Sequence, residues 1–392
     1  MNRSAARETP RLFTPQFNLL LAANLFIWIG FGAFILFPLF ILDIGGTKAD
    51  IGILMGVMPF AAVVVRPWAA EMVDRLGRRI AMAAGGGMMT AAGFACLLFQ
   101  APIASVFYPH LALRLLFGVG FSLLIVSSYT LAADLSPRPR LSEGLGVFGT
   151  TGLLGVALGP MGAEWIIHQA GFSTLFIASG TTFAAGVLLT LAMQADPRDP
   201  LNHPSASFLE TLRLPTVFWI ALIGLCFGVG FAAHNSFVAP FAKSKALYAS
   251  FYYGAYSLAA IVARLIGGKL SDRLGESGTI PVALASAGGG FTLLIFIVSP
   301  LGLAASGFFC GIGHGLIVPA LLAATVRNMP AQTRGKATGV ITGGLDSGLF
   351  MGAVILGYVG DGYGYPILFA AAVLSMGLGL AVWFFRRPRA AV

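Results

Sequence analysis

Apolar runs of about 20 residues or more recur from one end of this chain to the other, each long enough to cross a hydrocarbon layer of roughly 30 Å as a helix. No alternating strand pattern competes with them. Twelve runs can be delimited, near 15–41, 51–70, 80–100, 104–133, 144–168, 172–194, 215–241, 249–268, 279–299, 301–326, 336–359 and 366–385. A hydrophobic share of 57%, with glycine at 51 of 392 positions, lies far outside the range of soluble chains and so agrees with a membrane protein. The predicted class is an all-α integral membrane protein of twelve spans. Its first run, from Phe13 to Leu42, is too long and too continuously apolar for the core of a cleavable signal peptide, so it stays as span 1. Cys96, Cys226 and Cys310 are odd in number and sit inside apolar runs, so no disulfide framework is implied and small packing roles are expected.

The net charge of +9 is explained by its location rather than by nucleic acid. With the spans alternating across the bilayer, all but four of the 24 basic residues fall on one side, counting Arg66 and Arg264 as helix ends. Lys48, Lys243 and Lys245 fall on the other, and Arg114 alone falls within a span. That asymmetry is the positive-inside signature and puts both termini in the cytoplasm. The longest polar stretch, QADPRDPLNHPSASFLETLRLP at 194–215, reads as a linker. It divides the chain into an amino-terminal bundle (1–195), a cytoplasmic linker (196–214) and a carboxyl-terminal bundle (215–392).

Six charged side chains crowd into RPWAAEMVDRLGRR at 66–79, in a chain only 10% charged. The phrase returns: Arg66, Asp74, Arg75, Leu76 and Gly77 recur as Arg264, Asp272, Arg273, Leu274 and Gly275, every one displaced by 198. A repeat of half the chain points to a transporter built from two similar six-helix bundles around a central path. The charged phrase cannot face lipid, so it forms the cytoplasmic turn between spans 2 and 3. Gly77 permits the reversal, and Asp74 is suited to accept hydrogen bonds at a helix amino terminus.

This text resembles motif A of the major facilitator superfamily, and the resemblance covers essentially the whole chain. The motif's first glycine is Ala70 here and Gly268 in the repeat. The resemblance implies a latch between halves in the outward-facing state. Asp74 and Arg75 would engage residues 335–345 and Asp272 and Arg273 residues 140–150, with Gly77, Arg78, Asp134 and Gly275 counted in the same latch. RLLFGVG at 114–120 matches the family's motif B, and GVALGPMGA at 155–163 resembles motif C of its drug:proton antiporters. Gly155, Gly159 and Gly162 allow close helix approach and Pro160 bends the helix, as an antiporter-type seam requires.

Charged and polar residues within spans are candidates for function. Arg114 is a fixed cation and a functional candidate, with a structural arginine bonded to backbone carbonyls as the alternative. Asp346 lies about eleven residues into span 11, roughly 16 Å deep at 1.5 Å per residue, and is the most deeply placed acid. Asp346, Arg114, His234 and His314 are the candidates for proton coupling. Asn24, Trp28, Arg114, Asn235, Tyr256 and Asp346 are the candidates for substrate contact. Glu164 and Asp134 lie near helix ends, where pairing with loop arginines or the interface is expected. Span 1 holds no carboxylate before Asp43.

An enzyme is not expected. The five histidines form no HExxH, and neither GxSxG nor a phosphate loop occurs, so neither a metal nor a cofactor is expected. The expected activity is proton-coupled efflux of amphipathic or drug-like small molecules by alternating access. The alternative is a proton-coupled importer or facilitator of a small organic solute. The expected partners are the substrate, protons and the bilayer of the inner membrane, without nucleic acid, and the expected state is a monomer.

Overall fold

The computed structural model describes residues 11–194, 211–297, 299–326 and 331–386, with backbone alone at several positions including 266–274 and 331–336. All regular elements among these residues are helices. Thr14 opens α1 (Pro15–Ala33), its hydroxyl accepting the Phe17 N–H at 3.2 Å. A 3₁₀ turn then leads to α2 (Phe37–Asp43). α3 (Lys48–Leu76) starts from a reciprocal cap in which Asp50 accepts the Thr47 N–H at 2.8 Å and Thr47 accepts that of Asp50 at 3.1 Å. α4 (Arg78–Ala95), α5 (Ile103–Leu135) and α6 (Leu141–Leu191) complete the first half. The second half holds α7 (Pro215–Ser236), α8 (Val238–Ser244), α9 (Ser250–Phe296), α10 (Pro300–Val326) and α11 (Ala331–Arg386).

Among the described residues nine helices are long and apolar enough to cross a membrane, and two of them run for 49 residues. At 1.5 Å per residue such a stretch would reach about 73 Å, more than twice a hydrocarbon core. Each therefore turns back on itself, α6 at Gly171 (φ 76°) and α11 at Gly364 (φ 81°); α9 breaks in the same way at Gly275 (φ 64°). Gly77, at φ 84°, makes the whole turn between α3 and α4, a conformation that a side chain would strain.

The repeat in sequence becomes a repeat in packing. In the first half α1 lies against the first arm of α6 (141–170) through Gly32, Gly155 and Gly159; a Cβ on Gly32 would meet the Gly155 carbonyl at 2.9 Å. In the second half α7 lies against the first arm of α11 (331–363) through Gly228, Gly344, Gly348 and Gly352; a Cβ on Gly348 would meet the Leu225 carbonyl at 2.2 Å. Backbones approach closely because nothing stands between them, which is how helices associate where no hydrophobic effect separates helix from lipid.

The halves meet along two seams, α3 against α11 and the first arm of α6 against α9. Asp361 and Glu164 lie at one end of these seams. The opposite end carries Arg75, Arg78, Arg79, Arg138, Arg140 and Arg213. Most of the expected linker falls on residues 195–210, outside the described residues.

Candidate functional site

A partly open cleft is walled by both halves. Phe31, Phe34, Met55, Arg114, Phe117 and Phe121 come from the first half, and Asn235, Ser236, Asp346 and Leu349 from the second. Aromatic rings interlock along the first wall: Phe31 stacks on Phe121 at 5.1 Å and Phe34 meets Phe117 at 5.2 Å. Such a surface suits an apolar ligand body, with a few charged groups to orient it.

Arg114 lines this cleft but is only 5% exposed. Its Nε donates to the Leu54 carbonyl at 3.0 Å, Nη2 lies 3.4 Å from Met55 Sδ, and its guanidinium sits 5.4 Å from the centres of both the Phe37 and Phe117 rings. The structural alternative, an arginine bonded to a backbone carbonyl, is thus what the geometry shows, at a place on the cleft wall.

Asp346 has a partner that the sequence did not reveal. Arg66 donates to its carboxylate through Nη2 and to Thr342 Oγ1 at 3.0 Å through Nη1, joining α3 to α11 across the two halves. Arg66 lies about 27 Å along the helix from Lys48 at 1.5 Å per residue, three residues from the end of the Lys48–Ala69 span, so it remains a helix-end charge whose guanidinium reaches Asp346. Both side chains are about one-fifth exposed, at 17% and 19%.

His234, His314 and Tyr256 come together in a separate aromatic cluster. Phe231 stacks between the imidazoles, 4.7 Å from His234 and 4.6 Å from His314. Tyr256 bonds His314 Nδ1, His234 Nδ1 lies 3.2 Å from the Tyr252 hydroxyl, and Tyr253 donates to the His234 carbonyl at 3.0 Å. Neighbouring Asn235 faces the cleft, whereas the histidines are bonded within the cluster.

Asn24 and Trp28 are not part of the cleft wall. The Asn24 amide is 1% exposed and donates to Thr151 Oγ1 at 2.8 Å, while its carbonyl accepts the Trp28 indole N–H at 3.1 Å, pinning α1 to α6. Gly155 and Gly159 serve that same α1–α6 contact; Gly162 has nothing within 4 Å of a Cβ.

At the arginine-rich end Arg78 pairs with Asp134 at 3.0 Å, as expected, within one half. Arg75 pairs with Glu71 on its own helix, and Asp74 is exposed without a partner among the described residues. The side chains of Asp272 and Arg273 lie outside the described residues. Glu164 is not paired with loop arginines. It is 7% exposed and its carboxylate accepts the N–H groups of Ala249 and Ser250 at 2.6 and 2.7 Å, capping α9 from the other half. Asp361 does the same for α3, accepting from Lys48 at 2.9 Å and Ala49 at 2.7 Å. Arg66, Glu164 and Asp361 were missed as inter-half contacts. The available signal was the repeat, since Glu164 and Asp361 stand 197 residues apart, close to the 198 of the charged phrase.

A profile of the Major Facilitator Superfamily matches residues 19–301 and again 246–392. Multidrug resistance protein 2 of Bacillus subtilis is 25% identical, the match covering 95% of this chain and 96% of that protein. Multidrug resistance protein MdtG of Klebsiella pneumoniae is 23% identical, over 90% of this chain and 89% of its own length. Among solved structures, the nucleoside transporter NupG superposes with a TM-score of 0.78 at 15% identity, covering 95% of this chain and 98% of the other.

Proposed function

The chain belongs to the major facilitator superfamily, and from that premise we propose that it is an alternating-access exporter of amphipathic or drug-like small molecules, driven by proton exchange. On this reading twelve spans form two six-helix bundles, 1–195 and 215–392, with both termini and the arginine-rich end in the cytoplasm. The observation that carries it is the Arg66–Asp346 bridge. It joins opposite halves at the wall of a cleft lined from both, so parting α3 from α11 must separate the charges. Asp346 released from its cation in a low-dielectric bundle favours taking up a proton, and re-forming the bridge expels it. Relatives named multidrug resistance proteins support export.

The latch residues Asp74, Arg75, Asp272 and Arg273 belong to the opposite conformation on this reading, which agrees with an Asp74 that has no partner among the described residues. Proteoliposomes with an imposed pH gradient test the direction. Adding a fluorescent drug-like probe to one side is expected to drive protons the other way. Protons and probe moving together would favour the second reading, an importer or facilitator of a small organic solute, to which the fold shared with a nucleoside transporter lends support. Accumulation indifferent to the gradient would remove proton coupling.

A further inference from the structure

The charges along the two seams do not balance among the described residues. Arg66, Arg114 and Arg264 all lie inside helices, and the one carboxylate described beside them, Asp346, is already held by Arg66. Arg114 rests on a carbonyl, a sulfur and two rings. Arg264, about 21 Å along α9 from Ser250 at 1.5 Å per residue, has no hydrogen bond or ion pair among the described residues, and its Nε is buried and unsatisfied. The groups close enough to feel its charge include Tyr129, Tyr256 and His314, none of which is a carboxylate.

Arg264 is the repeat of Arg66, displaced by 198. The same displacement carries Asp346 back to position 148 on α6, where the chain has Phe148 followed by Gly149. Phe148 is 1% exposed and packs edge-on against Tyr129 at 5.0 Å. The acid that would complete a second bridge is therefore missing, and a gap lies over Gly149. A Cβ there would find only the Tyr129 hydroxyl at 3.8 Å and Arg264 Nη1 at 3.9 Å. Arg264 is half-buried and Tyr129 is exposed, so the guanidinium lies where a ligand can reach it, and a cation without a counter-ion in such a place favours whatever brings the opposite charge.

We propose that Arg264 is the counter-ion for a transported organic anion, whose carboxylate or phosphate docks over Gly149 between Arg264 and the Tyr129 hydroxyl. Guanidinium and phenol together match the acceptor oxygens of such a group. Tyr129 and Gly149 belong to the first half and Arg264 to the second, so the anion completes the α6–α9 seam as Asp346 completes the other. This rests on the transport reading above and narrows its substrate to amphipathic anions.

The test uses a matched probe set on the purified full-length protein: 1-naphthoate, 1-naphthyl phosphate, methyl 1-naphthoate, and the corresponding naphthylmethyl trimethylammonium cation. Binding is followed by tryptophan fluorescence. The anions are expected to bind at least about tenfold more tightly than the ester, and Arg264→Gln is expected to erase that preference while leaving ester binding unchanged. Gly149→Asp supplies the missing carboxylate in a space that accepts it, and should also erase the preference; Gly149→Asn should keep it. These two variants decide the matter even if Arg264→Gln does not fold. Anions binding no better than the ester, or a preference surviving both Arg264→Gln and Gly149→Asp, overturns the proposal. Counterflow in proteoliposomes separates the two readings. Anions that bind without exchanging leave the site standing and refute transport, whereas exchange of the ammonium probe alone leaves transport standing and refutes the site.

Discussion

The two seams between the halves are built alike at one end and differently in the middle. At the end, a carboxylate from the first arm of each long helix caps a helix of the opposite half, Asp361 on α3 and Glu164 on α9. Each satisfies two amide groups that a helix start leaves unpaired, and meets the positive end of the helix dipole. In the middle, Arg66 finds Asp346 while Arg264 finds a phenol and a glycine. The two halves thus share the geometry of closure in both seams, but among the described residues only one seam holds a counter-ion for its arginine.

The largest effect is expected from breaking the bridge that completes the first seam. Asp346→Asn keeps the shape, removes the charge and leaves Arg66 in the state of Arg264. Removing one partner of a buried pair costs up to about 3 kcal/mol when, as here, the pair retains some water contact. Gradient-driven transport should fall by more than tenfold, with downhill exchange still measurable. Arg66→Asp combined with Asp346→Arg should recover part of it. Full gradient-driven transport by Asp346→Asn would release Asp346 from any coupling role and turn attention to His234, His314 and Asp134.

Some of this was legible in the sequence. The long apolar runs announced helices because in lipid they have no other use, and Gly77 announced a turn because only there does the charged phrase reverse. The depth of Asp346 could be counted along its span. Hydropathy places Arg66 near the end of its helix but cannot show its partner, an aspartate 280 positions away. Glu164 is hidden in the same way. Its partners are backbone amides at Ala249 and Ser250, which carry no side-chain signature. Asn24 looked like a ligand-binding group because a buried amide needs partners, and only the fold shows that α6 supplies them.

An intermediate effect should separate the two caps. Glu164 is 7% exposed and uses one carboxylate oxygen for each N–H, so Glu164→Gln keeps one bond in neutral form and turns an NH2 group on the other donor out of reach of water, a loss of about 2–3 kcal/mol. The Asp361 side chain is 32% exposed, so Asp361→Asn should lose less, about 0.5 kcal/mol. The readout is the rate at which a membrane-impermeant thiol reagent modifies Met161→Cys, beside Gly254 on the α6–α9 seam, in a background lacking the three native cysteines. Labelling should accelerate several-fold with Glu164→Gln and barely with Asp361→Asn. Equal acceleration would mean that the seams open as one and that burial does not distinguish them.

The smallest effect concerns Lys48, and it isolates what the Asp361 cap is made of. The Lys48 ammonium lies 3.8 Å from Asp361 and 5.1 Å from the centre of the Tyr365 ring, an arrangement that invites the name of salt bridge. Yet the stronger contacts of Asp361 are to the backbone N–H groups of Lys48 and Ala49, and these survive any substitution at position 48 other than proline. A partly exposed pair at that distance contributes about 0.2 kcal/mol or less, and salt screens it further. Lys48→Ala should therefore shift the midpoint of thermal unfolding by about one degree or less in a membrane mimetic, and the shift should vanish in high salt. Asp361→Asn, which weakens the backbone cap itself, should retain its larger shift in high salt. A Lys48→Ala loss as large as that of Asp361→Asn would make the side-chain pair the real closure at this end, and the likeness between the Asp361 and Glu164 caps would no longer hold.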